Sequence, residues 1–202
     1  MAPVFIISFS ISGTTLDQFE LSAPEVLKSF KQLAATGSVE FLAETYSLSS
    51  LMSPKKNFKQ VSEHGKKIKA LFGQSPALFR NTELIYSDEI GKMVSKMGYR
   101  IMIAEGADHI LGWRSPNFVY HSNMNPELHM LLKNYKLSDG IAFRFSQKEW
   151  NGFPLTAEKF VSWLNAIPAN EEIVNLFMDY ETLPMAMYIN ILILTIPLMR
   201  LS

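Results

Sequence analysis

Residues 77–106, "ALFRNTELIYSDEIGKMVSKMGYRIMIAEG", pass from a short apolar run to an amphipathic segment and back to a second apolar run. "ALFRNTEL" (77–84) is predicted to be a strand. "SDEIGKMVSKMG" (87–98) is predicted to be a helix, with Ser87 as its N-cap and Gly98 as its stop. "YRIMIAEG" (99–106) follows as a strand whose apolar run is almost unbroken, the pattern of a strand covered on both faces. Strand, helix and strand in this order make the repeating unit of a parallel sheet.

The alternation extends in both directions. "VFIISFSIS" (4–12) and "VEFLAE" (39–44) are predicted strands, separated by a helix over 23–37 with Pro24 in its first turn and Gly37 past its end. Residues 57–72 place Phe58, Val61, Ile68 and Leu71 on one helical face. Residues 106–126 are punctuated by Gly, Pro and Asn and are expected to be mostly loop. "IAFRFS" (141–146) is a predicted strand, "TAEKFVSWLNAI" (156–167) a helix capped by Thr156, and "EIVNLFMDYE" (172–181) the last strand. An α/β fold with parallel strands is expected.

Composition narrows the partners. The 202 residues are 48% hydrophobic and 19% charged, which is a globular balance. Nineteen basic and nineteen acidic side chains cancel, so no net field favours nucleic acid or an anionic membrane. There is no cysteine, which removes disulfides, thiolate metal sites and cysteine nucleophiles. The N-terminal "MAPVFIISFSISG" lacks a basic region and alternates like a strand, so no signal peptide is expected and a cytoplasmic location is. No Gly-rich phosphate loop follows any predicted strand, and "GTT" (13–15) fits no nucleotide fingerprint.

Four predicted strands finish on or near a carboxylate: Glu44, Glu83, Glu105 and Asp179, with Glu181 two residues beyond the last. In a closed parallel barrel the strands' C-terminal ends form one mouth, so acids distant in sequence converge there. Strand-ending acids also cap helices or sit in solvated loops, and both readings stay open at this point. Two carboxylates across a cavity suit glycosidic bond cleavage. Tyr46, Tyr86, Trp113, Trp150 and Tyr180 offer aromatic faces for sugar rings, or ordinary packing.

"VEFLAETYS", "FRNTELIYSDEIG", "LGWRSPN" and "NLFMDYET", in this order and at these spacings, resemble the catalytic domain of glycoside hydrolase family 57, and its α-amylase-like members most. The likeness runs from about residue 6 to Thr182. It implies a distorted (β/α)7 TIM-like barrel that acts on α-glucans or maltooligosaccharides with retention of configuration, without metal or cofactor. It implies that Glu83 is the nucleophile and Asp179 the general acid/base, with Glu44 and Glu181 at acidic motif positions that line the sugar site. Trp113, in "LGWRSPN", is placed with the substrate-binding residues.

Three departures accompany the likeness. The family's opening "HQP" tripeptide is not present, so residues 1–182 are expected to be a partial barrel lacking its first β/α repeat. Leu48 stands where relatives read histidine in "ETYSHS". After "YET" the chain continues as "LPMAMYINILILTIPLMRLS" (183–202), an atypical apolar tail suggestive of a reading-frame change or alternative stop. This tail is expected to be unstructured, with a short element covering an open sheet edge or a membrane anchor as alternatives. A barrel lacking an edge repeat is expected to self-associate through unpaired strands. Such a chain is expected to be weakly active or inactive, and a non-catalytic remnant or glucan-binding module is the alternative function. A polysaccharide deacetylase-like barrel is another, but it needs an Asp and two histidines spaced HxxxH; His64, His109, His121 and His129 give no such spacing.

Overall fold

A computed structural model of the chain describes residues 6–47, 54–179 and 192–197. In chain order its elements are β1 (Ile7–Phe9), α1 (Gly13–Ser22), α2 (Pro24–Ala35), β2 (Val39–Phe41), α3 (Pro54–Phe72), β3 (Leu78–Arg80), α4 (Asp88–Lys96) and β4 (Ile101–Glu105). They continue with α5 (Asp108–Leu111), β5 (Tyr120–Ser122), β6 (Asn125–Lys133), α6 (Tyr135–Ala142), α7 (Ala157–Asn165), β7 (Ile173–Met178) and β8 (Leu192–Pro197).

The βαβ unit at residues 77–106 forms as its residues dictate. Ser87 Oγ accepts from the Ile90 amide at 3.3 Å, closing the first turn of α4, and Gly98 takes φ +91° past its end, a conformation that favours glycine. Leu78, Phe79 and Arg80 of β3 pair in parallel with Ile101, Met102 and Ile103 of β4. Thr156 caps α7 and Pro24 opens α2, both as expected.

The strand order is β2-β1-β8-β7-β6-β4-β3, with β5 hydrogen-bonded to β6 off this path. The two ends of this order meet at a single parallel bridge between Ala43 and Phe79, where Ala43 N donates to Leu78 O at 2.9 Å and Arg80 N to Ala43 O at 2.8 Å. The sheet therefore curls back on itself like a barrel. Leu42 just past β2, Leu84 in the turn after β3, Ile103 of β4 and Phe177 of β7 form one buried cluster, which fits the concave side of such a curl. Helices cover the outside: α1, α2 and α3 over β1 and β2 through Leu16, Phe30 and Ile68, α4 over β3 and β4 through Ile90 and Val94, and α6 and α7 over β7 through Leu137 and Trp163.

Four expectations are corrected. Residues 141–146 are not a strand: α6 ends at Ala142 and turns follow. Asn134 Oδ1 accepts from the Leu137 amide at 3.1 Å and nucleates a helix whose Leu137 and Ile141 pack with β7 residues. The 106–126 region is mostly loop, as expected, with α5 and β5 as short elements inside it and the start of β6 at its end. In β6, Leu128, Met130 and Leu132 are buried alternately with more exposed neighbours, the period of a sheet with one covered face. Residues 13–22, given no element by the sequence, form α1, capped by Ser12 Oγ accepting from Thr15 N at 3.2 Å. Glu83 lies beyond β3 in a tight turn rather than on the strand.

The fourth correction concerns the tail. Residues 192–197 form β8, which pairs antiparallel with all of β7 and with Ser8 and Phe9 of β1. An apolar run containing β-branched residues suits a pleated strand, and the free edges of β1 and β7 supply backbone partners. The edge expected to stay open is therefore occupied. Among the described residues no helix is long and apolar enough to cross a membrane.

Candidate active site

The site is built from strand ends. After Arg80 the chain leaves β3 through a single 3-10 turn, Thr82–Leu84. Inside it Glu83 has φ 54° and ψ 22°, and Leu84 has φ 54°. Two consecutive non-glycine residues in the left-handed region cost about 1–2 kcal/mol each and persist only where surroundings enforce them. Here Asn81 Nδ2 donates to Ile85 O at 2.9 Å, the Leu84 amide donates to Asn81 O at 3.1 Å, and the Leu84 side chain is buried. The turn leaves Glu83 exposed beside the strand end. Strain of this kind concentrates at functional sites.

From the other half of the chain, β7 ends at Met178 and delivers Asp179, half-buried, as the next residue. Glu83 and Asp179 line one cavity of about 140 Å³, together with Arg80, Glu105, Lys133, Asp139 and Phe177. Its charged lining is four acids and two cations, and the two cations are held in place. Lys133 Nζ lies 3.6 Å from Glu105 and 3.9 Å from Asp139, and 5.9 Å from the centre of the Phe177 ring. The Arg80 guanidinium sits 5.7 Å from the same ring.

Glu44 is buried behind this wall rather than on it. Its Oε1 accepts from Ser10 Oγ at 2.8 Å and its Oε2 from Arg80 Nη1 at 3.2 Å. In this arrangement Glu44 meets the cavity through Arg80. Arg80 Nε and Asn81 Oδ1 are buried without a hydrogen-bond partner among the described residues, so polar capacity is left unused on both residues that lead into the Glu83 turn.

Trp113 stands apart from the acids, 94% exposed after α5. It borders a hollow of about 480 Å³ with Asn117, Asn134, Tyr135 and Trp163. A second hollow, lined by Glu105, Asp108, Lys133, Tyr135 and Asp139, shares residues with both that hollow and the Glu83–Asp179 cavity. The three thus adjoin along one side of the sheet's mouth. On this wall Tyr135 Oη donates to Asp108 at 2.7 Å, which holds the Asp108 carboxyl below the usual range and raises the Tyr135 phenol. Tyr46 instead donates to Asp17, Tyr86 meets Asp88 and Ser122, and Trp150 packs on Trp163. Glu181, Tyr180 and Leu48 lie outside the described residues.

Arg80, Lys133 and Asp139 are cavity residues that the pattern of acids at strand ends does not mark. The available signal was a lone cation closing each apolar strand, in "ALFR" and "HMLLK". Among the described residues no group of three or more His, Asp or Glu side chains is placed to hold a metal ion.

A family model described as glycosyl hydrolase family 57 matches residues 3–191. A candidate alpha-amylase of Methanocaldococcus jannaschii is 44% identical over 182 residues, which cover 88% of this chain and 38% of that relative. The chain thus spans less than half the length of the curated relative it matches. The crystal structure of 4-alpha-glucanotransferase from Thermococcus litoralis is similar with a TM-score of 0.68 at 16% identity, covering 84% of this chain and 26% of that one. A candidate polysaccharide deacetylase from Mycobacterium smegmatis is similar with a TM-score of 0.52 at 17% identity, covering 79% of this chain and 53% of that one. At such identities these two likenesses concern the fold alone.

Proposed function

Because the chain belongs to glycosyl hydrolase family 57, we propose that it carries the catalytic pair of a retaining glycoside hydrolase acting on α-glucans. Glu83 is the nucleophile: ionised, it attacks the anomeric carbon and forms a glycosyl-enzyme ester as the bond to the leaving sugar breaks. Asp179 donates its proton to the leaving oxygen, then accepts one from the water or sugar hydroxyl that releases the ester. Arg80 and Lys133 offset the negative charge gathered around the pair. Glu44 acts through Arg80 as a positioning residue, and Glu181 completes the sugar site. The adjoining hollows out to Trp113 give an extended glucan a path, with aromatic faces for its rings. Residues 1–182 hold this catalytic barrel, and Leu192–Pro197 supply the strand that fills its edge.

One observation carries the proposal: two acids from opposite halves of the chain, one of them on strained backbone, line a single cavity. Turnover by this span alone is expected to be weak or nil, since the match covers only 38% of the relative's length. Binding and turnover are therefore measured together. Saturable maltoheptaose binding by calorimetry, weakened in Lys133→Met, with any reducing-end release abolished in Glu83→Gln, supports the assignment. Absence of binding to every α-glucan tried, or turnover that survives both Glu83→Gln and Asp179→Asn, overturns it.

A further inference from the structure

His121 and His129 are eight apart in sequence, but the register of the β5–β6 hairpin sets them directly opposite one another on antiparallel strands. Their ring centroids are 4.7 Å apart with planes inclined at 57°. His121 is exposed and His129 half-buried. The contact between His121 Nδ1 and the Pro126 carbonyl, at 2.7 Å, requires Nδ1 to be the donor, because a carbonyl only accepts. That fixes the neutral ring as the tautomer whose Nε2 lone pair is free. The His129 ring has no hydrogen-bond partner among the described residues. Neither histidine borders the Glu83–Asp179 cavity.

We propose that His121 and His129 form a two-imidazole site for a borderline divalent transition metal such as Ni²⁺, Cu²⁺ or Zn²⁺, clamping β5 onto β6. Side chains opposite one another on an antiparallel ladder start about 4.5–5.5 Å apart at Cβ. That spacing lets two ring nitrogens converge on one ion at about 2.0–2.1 Å, with water filling the remaining positions. Imidazole selects this class of ion over Mg²⁺ and Ca²⁺, which take oxygen donors. A backbone carbonyl holding the far nitrogen of a ligating histidine is a common support for such sites, and here Pro126 supplies it before any metal binds. Among the described residues β5 joins the sheet through β6 alone, so an ion bridging the two would stabilise an edge strand of three residues.

The test uses the full chain without a purification tag, stripped with EDTA and titrated with NiCl₂ and ZnCl₂ by calorimetry. One equivalent is expected to bind, and His121→Gln and His129→Gln are each expected to weaken it at least about tenfold. His109→Gln and MgCl₂ serve as controls and are expected to show no change and no binding. A readout free of substitution is the imidazole C–H spectrum, where two of the four histidines should respond together to Zn²⁺. No saturable binding below the millimolar range, affinity that survives either substitution, or response by one ring alone would overturn the proposal. None of these outcomes bears on the glucan site.

Discussion

Replacing Arg80 by methionine isolates the pair that ties the cavity wall to the interior. Arg80 is 4% exposed and Glu44 2%, so neither charge has appreciable contact with water. In the variant Glu44 keeps only the Ser10 hydroxyl at 2.8 Å, and its second oxygen loses the Arg80 donor at 3.2 Å. Leaving one charge of a buried pair without its partner typically costs about 3–5 kcal/mol. A domain of this kind has roughly 5–15 kcal/mol in total, so the loss would take a third or more of a mid-range value. The companion variant Glu44→Leu/Arg80→Met removes both charges at similar volume, and pairs so replaced are often neutral or better. It is expected to regain most of the loss while still failing to bind glucan, because Arg80 lines the cavity. Urea unfolding followed by far-UV circular dichroism measures both differences, provided the slope with denaturant is unchanged. A single-variant cost below about 1 kcal/mol, or a double variant less stable than the single, would refute a buried and mutually dependent pair.

Three further outcomes are expected. Glu83→Gly should raise stability by about 1 kcal/mol, because glycine adopts φ 54° without the penalty that glutamate carries, and should abolish any glucan turnover the chain has; a loss of stability in denaturant unfolding would contradict the strained turn. The Asp17 carboxyl is held below its usual range first by the hydrogen bond from Lys67 Nζ at 2.8 Å and then by that from Tyr46, so its contribution is present above about pH 3.9 and fades as pH falls through the lowered folded value. The stability gap between wild type and Asp17→Asn should accordingly be about 0.5–1 kcal/mol at pH 7, given that Asp17 is 44% exposed, and should close towards pH 2; a gap that widens on acidification would sink this assignment. Deleting residues 183–202 strips β7 and β1 of β8 and should give larger oligomers or aggregate than the full chain on size exclusion with light scattering, whereas an unchanged mass and equal Tm would show that β8 does not guard those edges.

The βαβ unit at residues 77–106 was legible because its signals are local: a serine cap, a glycine stop and an unbroken apolar strand lie within thirty residues. "IAFRFS" misled for the same reason. Its alternation is strand-like, but the deciding group is Asn134, seven residues upstream, which starts a helix that runs into it. β6 was hidden behind Pro126, and β8 had no local signature that distinguished a strand from a loose apolar tail. Its order comes from the backbone of β1 and β7, far away in sequence. Within the site, the acids could be read as strand-end residues and placed by resemblance to a family. The roles of Arg80 and Lys133 could not, since a cation at the end of a strand gains meaning only from what the curl of the sheet brings beside it. Glu44 shows the converse: its motif position was evident, but not that it would be buried beneath an arginine. The histidine pair was invisible until the hairpin register was known.

The most direct test of the central claim is a crystal structure of the chain with a maltooligosaccharide bound. The account predicts one glycosidic linkage between the carboxyl groups of Glu83 and Asp179, which stand about 5–5.5 Å apart. A glucan seated elsewhere, or a separation beyond about 6.5 Å, would contradict the pairing and the retaining chemistry built on it.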